Sequence, residues 1–139
     1  MFDPWTIIGA NPWIEVHHVR MPDGKPGATD GHQSIWLDDR LTVRERRCVL
    51  THELVHLQYG HASCQSPKHE WKVRRETAHL LIPWPSLIRA SADHMSLSDL
   101  ADDLNVTSQL LQDRLQTVSP LEAALLKERG ATIAFDATW

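Results

Sequence analysis

Several features that mark whole classes of protein are missing from this sequence. Only two of its 139 residues are cysteines, Cys48 and Cys64, which is too few for a disulfide framework. No apolar run is long enough to predict a membrane span. The first residues lack the basic region and apolar stretch of a secretory signal, so we expect a cytoplasmic protein in a reducing compartment.

Positive charge is scarce as well. Lysine and arginine number 14 against 18 aspartates and glutamates, which gives a formal net charge of −4. Because polyanions are bound by clustered lysine and arginine, this balance does not favour DNA as a partner. The hydrophobic fraction of 42% and the charged fraction of 23% are those of an ordinary globular domain and exclude wholesale disorder.

Histidine, in contrast, is abundant. The chain has nine histidines, and four of them fall within one stretch: His52, His56, His61 and His69. Histidine is the commonest metal ligand in proteins and the side chain most easily tuned near neutral pH. The function is therefore to be sought first in this stretch.

Two short runs in the first third of the chain predict a small sheet. Residues 13–19 and 33–38 have the apolar and polar alternation of strands, and residues 21–27 between them have the proline and glycine of a loop. We expect the sheet to be antiparallel. We also expect the second strand to lie at its edge, beside a cleft.

Two helices are predicted after these strands. The first begins with a capping box formed by Thr42 and Glu45 and ends before Gly60. The second spans about residues 68–81, because Pro83 prevents its continuation. A small sheet followed by helices predicts the α+β fold class.

The first of these helices contains an H-E-x-x-H pattern, His52-Glu53-Leu54-Val55-His56. Histidines four residues apart lie one turn apart on one helix face, about 6 Å along the axis. Both imidazoles can therefore reach a single zinc ion, and Glu53 lies where it can take a proton from a water that the metal activates.

A catalytic zinc needs a third protein ligand, and the second helix offers Glu70 and Glu76. Glu70 falls on the predicted apolar face with Val73 and Thr77, where a carboxylate is costly unless it is paired or bound to a metal. Glu76 lies 20 residues after His56, a separation that resembles zinc peptidases with a glutamate as third ligand. Both stay candidates, with Glu70 preferred.

Two other interpretations of the pattern are possible. An amphipathic helix with exposed histidines would bind no metal, but the strong helix cap and the acidic second helix argue against it. A purely structural zinc would need a closed set of four ligands, with Cys48 or His69 as the fourth. Cys48 is more simply explained as a core residue.

Three runs of the sequence, residues 41–56, 70–73 and 78–83, resemble the ImmA/IrrE family of metallo-endopeptidases. The short members found in phages and prophages are the most similar. The resemblance covers roughly residues 14–115. It implies a minimal zincin-like fold, in which a small sheet packs on an active-site helix and a third-ligand helix.

The resemblance also implies an activity. Members of the family cleave a repressor encoded nearby, which releases the genes of a mobile element or a stress response. His52, Glu53 and His56 match the family motif, with Zn²⁺ or another divalent transition metal as the cofactor and a helix-turn-helix repressor as the partner. The resemblance does not choose between Glu70 and Glu76 as the third ligand.

The C-terminal part of the chain differs from the rest. Residues 98–115 have helix-turn-helix spacing, but residues 93–128 carry seven acidic side chains against two basic ones, and Arg114 is the only basic residue of the second predicted helix. DNA reading needs Lys and Arg. We therefore expect a zincin-like core over residues 1–92, with a helical segment over residues 93–139 that packs on it or docks a protein.

Taken together, these patterns predict a zinc-dependent endopeptidase with a narrow protein substrate and Glu53 as the general base. The substrate would pair with residues 34–37 as an added strand. The alternative is a non-catalytic regulator that keeps the zincin-like fold and binds a repressor or DNA.

Overall fold

The computed structural model describes residues 2–62, 66–93 and 96–128. Within these ranges it has a three-stranded sheet and seven helices, which confirms the α+β class. Contacts within the chain form two compact units, Met1–Thr77 and Ala78–Trp139. The division at residue 92 between a catalytic core and a C-terminal segment stays a prediction.

The first unit holds all the strands. The elements in chain order are α1 (Pro4–Ala10), β1 (Glu15–Val19), β2 (Gly27–Thr29), β3 (Ser34–Asp38), α2 (Val43–Gln58), α3 (Pro67–Leu81), α4 (Trp84–Ser91), α5 (Leu97–Leu104), α6 (Ser108–Leu115) and α7 (Pro120–Glu128). Cys64 lies outside the described residues.

The sheet is mixed, with the strand order β1-β3-β2. β1 runs parallel to β3, with Glu15 opposite Ser34, and β2 runs antiparallel to β3, with Gly27 opposite Leu37. Two expectations are therefore wrong: β1 and β3 are not antiparallel, and β3 is the central strand rather than an edge. The cause is β2, which lies at the end of the predicted loop and pairs with the other side of β3.

A helix that is not among the predicted elements begins the fold. Asp3 caps α1 by accepting a hydrogen bond from the backbone N–H of Trp5 at 3.0 Å, and Pro4 occupies the first helical position. Aspartate as N-cap followed by proline is a favoured helix start. α1 packs against α2.

The predicted capping box of α2 is present. The hydroxyl of Thr42 accepts from the N–H of Glu45 at 3.2 Å, and the carboxylate of Glu45 accepts from the N–H of Thr42 at 2.9 Å. α2 packs on β2 and β3. Its apolar side joins one buried cluster with the sheet: Ile14, Ile35, Leu37, Leu50 and Leu57. The cap and this core together fix which face of α2 is turned to its neighbours.

The second unit is helical in its described part. Ser96 caps α5, and Thr107 caps α6. Between the two helices Asn105 adopts a left-handed conformation with φ 55°, which reverses the chain. Arg114 is buried, with its Nε donating to the carbonyl of Ile82 at 2.7 Å, so α6 does not present its basic side chain to solvent.

Membrane crossing has no candidate in the described part of the chain. None of its helices combines the length and the apolar character that a bilayer span requires.

Candidate metal centre

α2 places the two histidines of the H-E-x-x-H pattern side by side. The ring centroids of His52 and His56 are 4.9 Å apart, and the rings are inclined by 68°. The side chain of His56 is 1% exposed and that of His52 is 23% exposed. The His56 ring is therefore buried, whereas the His52 ring is partly accessible to solvent. The helical spacing predicted from the sequence thus brings both imidazoles to one point.

Glu70 of α3 completes this cluster. Its Oε1 lies 2.6 Å from Nε2 of His52, and its Oε2 lies 3.0 Å from Nε2 of His56. One ligand atom from each of the three residues lies within 4.8 Å of the others. Two imidazole nitrogens and a carboxylate oxygen form a donor set that suits a divalent transition metal.

Glu76, the other candidate ligand, has a different neighbour. Its carboxylate accepts a hydrogen bond from the hydroxyl of Tyr59, the residue that ends α2. This bond and partial burial raise the pKa of the Tyr59 hydroxyl. In the described part of the chain, Glu76 is not among the residues whose ligand atoms converge on one point.

The electrostatics of His56 favour its neutral form. Burial lowers the pKa of this imidazole, repulsion from His52 lowers it further, and the nearby carboxylate of Glu70 opposes the shift. A metal binds the deprotonated ring nitrogen, so a lowered pKa keeps His56 in the form that can act as a ligand at neutral pH.

Glu53 lies on the buried side of the same helix turn and is 5% exposed. Its Cγ lies 3.5 Å from the position that a Cβ atom on Gly27 of β2 would occupy. That is an ordinary contact, but the same Cβ atom would lie only 2.7 Å from Cγ1 of Val49. The absence of a side chain at Gly27 therefore lets α2, which carries Glu53, pack closely on β2. The sequence pattern places Gly27 in a loop, so its packing role becomes apparent only in the folded structure.

A second group of rings extends the cluster beyond the predicted residues. The His61 ring lies 5.7 Å from that of His56 and stacks on Tyr59 at 5.4 Å and on His69 at 5.5 Å, measured between centroids. The sequence signals His61 only as one of a run of histidines, five residues after His56. It gives His61 no separate role.

A model of a protein family matches most of the chain. The Peptidase_M78 model, described as the IrrE N-terminal-like domain, matches residues 14–116. The chain belongs to this family. No curated protein and no solved structure matches it significantly. The family resemblance read from residues 14–115 is therefore confirmed, and Peptidase_M78 membership supports a metallopeptidase-type function.

The candidate ligand group of this Peptidase_M78 chain has three members, as in a catalytic metal site with a free coordination position, rather than the four of a structural zinc site. In the described ranges the convergent group comprises only His52, His56 and Glu70. Cys48 is buried, and His69 is exposed and stacked on His61. Neither joins the group as a fourth ligand, which favours a metal with a free position over a structural zinc.

Proposed function

We infer that this chain is a zinc-dependent endopeptidase that cleaves a specific protein, a helix-turn-helix repressor of a phage, mobile element or stress regulon. The observation that carries the proposal is the convergence of His52, His56 and Glu70 beside the buried Glu53 in a Peptidase_M78 chain. The choice of a repressor rests on the resemblance to ImmA/IrrE proteins. The net charge of −4 also suits encounter with a basic DNA-binding protein.

Each residue of the cluster has a distinct role in this proposal. Nε2 of His52, Nε2 of His56 and the carboxylate of Glu70 would hold the zinc. When bound there, zinc polarises the scissile carbonyl and lowers the pKa of a water molecule towards about 7. Glu53 takes a proton from the attacking water and passes it to the amine that leaves.

The strand expected from the sequence to pair with the substrate is not at an edge of the sheet. Residues 34–37 belong to the central strand, so they have no free edge for another strand. β2 is an edge strand, it packs on α2, and Gly27 lies beside Glu53. We therefore propose that an extended substrate segment pairs along the outer side of β2, which would bring its backbone next to the general base.

The test is cleavage of the repressor encoded beside the gene for this chain. The zinc-loaded protein should produce two fragments, and Glu53→Gln should lower the rate by about 10²- to 10⁴-fold because it removes the proton acceptor. Zinc content, measured by elemental analysis, should be the same in both proteins. Glu15→Gln, the same change at an exposed position of β1, is the control and should cleave normally.

Two outcomes would contradict the proposal. Cleavage at the full rate by Glu53→Gln would remove Glu53 from the mechanism. A stable complex of the zinc-loaded chain with the repressor, without fragments, would favour the non-catalytic regulator.

A further inference from the structure

Two neighbouring rings at the candidate centre each carry a buried nitrogen that has no hydrogen-bond partner among the described residues. Nδ1 of His56 and Nδ1 of His61 are both inaccessible and accept or donate no hydrogen bond to the described residues. The large majority of buried side-chain polar atoms in proteins are hydrogen-bonded, so each exception needs an explanation. The two rings lie 5.7 Å apart between centroids and are inclined by 58°.

The chemistry of a ligating histidine determines which nitrogen must donate. Nε2 of His56 faces the Glu70 carboxylate at 3.0 Å, so it is the ring nitrogen placed to act as the ligand atom. When Nε2 binds a metal, the neutral ring carries its proton on Nδ1. A buried N–H without an acceptor is costly, and metal-binding histidines nearly always donate this second N–H to an acceptor.

His61 has the complementary requirement. A bare ring nitrogen accepts a hydrogen bond, and a neutral histidine with its proton on Nε2 has such a nitrogen at Nδ1. We propose that His61 is a positioning residue: one bridging water molecule accepts the Nδ1–H of His56 and donates to Nδ1 of His61. The proposal rests on His56 being a metal ligand, as in the proposed function.

Several contacts hold His61 where this role needs it. Gly60 adopts a φ of +70°, which turns the chain at the end of α2, and the N–H of His61 donates to the carbonyl of His56 at 2.9 Å. The ring then stacks on Tyr59, whose hydroxyl is bonded to Glu76. A side chain fixed in this way can orient its neighbour without a loss of conformational entropy on metal binding.

The first experiment measures zinc affinity by competition with a chelating indicator. His61→Phe keeps a ring for the stacking contacts but removes the acceptor, and we expect zinc to bind about 10- to 100-fold more weakly. His61→Asn returns an acceptor oxygen near the position of Nδ1 and should restore most of the affinity. His69→Phe changes the exposed ring stacked on His61 and is the matched control, with unchanged affinity.

The second experiment uses the unmutated protein, so it does not depend on the folding of a variant. Nuclear magnetic resonance of the ¹⁵N-labelled, zinc-loaded chain reports which ring nitrogen carries each proton. We expect the proton of His61 on Nε2 and a slowly exchanging proton on Nδ1 of His56. A proton on Nδ1 of His61 would overturn the proposal.

The outcomes also separate this proposal from the proposed function. If the unmutated chain binds no zinc, both fail. If it binds zinc and His61→Phe binds it equally well, only the role of His61 fails. If His61→Phe and His61→Asn both lose zinc completely, His61 is itself a ligand and the positioning role is wrong.

Discussion

Two glutamates on α3, Glu70 and Glu76, show how the position of a carboxylate on one helix determines its neighbours. The carboxylate of Glu70 lies within 3.0 Å of Nε2 of both His52 and His56, whereas that of Glu76 accepts a hydrogen bond from Tyr59. The carboxylates are chemically identical, so their different neighbours alone separate their roles. Exchange of either side chain for glutamine keeps its size and removes its charge.

At Glu70 and Glu76 we predict opposite results for this exchange. Glu70→Gln should weaken zinc binding by more than about 100-fold, because it removes a ligand, and loss of an outer partner already costs about 10- to 100-fold. Glu76→Gln should keep the affinity, since the amide oxygen can still accept from Tyr59. Isothermal titration of metal-free protein with zinc measures both. Equal affinity of the Glu70→Gln variant and the unmutated chain would exclude Glu70 as a ligand.

The residues of the centre differ in how far the sequence alone could predict them. His52 and His56 lie on one helix, so their convergence follows from local spacing. Glu70 comes from another helix and was favoured only through its predicted apolar face. The separation between His56 and Glu76 is no guide, because chain distance does not fix which helix face a residue occupies. The burial of Nδ1 of His61 cannot be predicted from the sequence, because it depends on how the neighbouring parts of the chain pack around the ring.

The helices and strands also differ in how far the sequence alone predicts them. α2 is predictable because its cap, apolar spacing and terminal glycine are all local signals. β2 is not, because a three-residue strand that contains Gly27 shows no alternation and lies in a segment rich in proline and glycine. The direction of β1 relative to β3 depends on the connection that contains β2, so a sequence pattern that does not reveal β2 does not reveal the parallel pairing either.

The turn after β2 offers an element-scale prediction. Gly31 and Gly24 both have positive φ angles, of 78° and 79°, but only Gly31 is closely packed. A Cβ atom at Gly31 would lie 2.8 Å from the backbone carbon of His61 and 2.9 Å from the backbone nitrogen of Ala62, whereas nothing lies within 4 Å of one at Gly24. The turn therefore packs closely, through Gly31, against the backbone of the segment that carries His61.

Alanine at these two glycines should have unequal effects. Gly24→Ala should lower the free energy of unfolding by about 1 to 2 kcal/mol, the cost of a left-handed alanine. Gly31→Ala should lose roughly 1 to 3 kcal/mol more through overpacking. Urea denaturation of the metal-free proteins measures both values. Equal losses would show that the backbone contact between Gly31 and His61 does not constrain the fold.

At the scale of the whole molecule, the question is whether folding depends on metal binding or whether the metal serves only in catalysis. The first unit has a buried apolar cluster made of the sheet and α2, including Ile35, Leu37 and Leu50, each 0% exposed. This apolar cluster is formed without the ligand group His52, His56 and Glu70. A core of this kind should survive removal of the metal, unlike that of a domain whose folding depends on zinc.

Metal removal therefore tests the catalytic interpretation against the structural one. A ligand that binds only the folded state stabilises it by about 2.7 kcal/mol at a free concentration 100 times its Kd, so saturating zinc should raise the Tm by about 10 °C. After chelation the chain should still unfold cooperatively and keep its circular dichroism spectrum at 25 °C. Glu70→Gln should show the metal-free Tm with or without zinc, because its site no longer binds. Loss of the folded spectrum on chelation would instead indicate a structural zinc, and with it a fourth ligand beyond the described group of three.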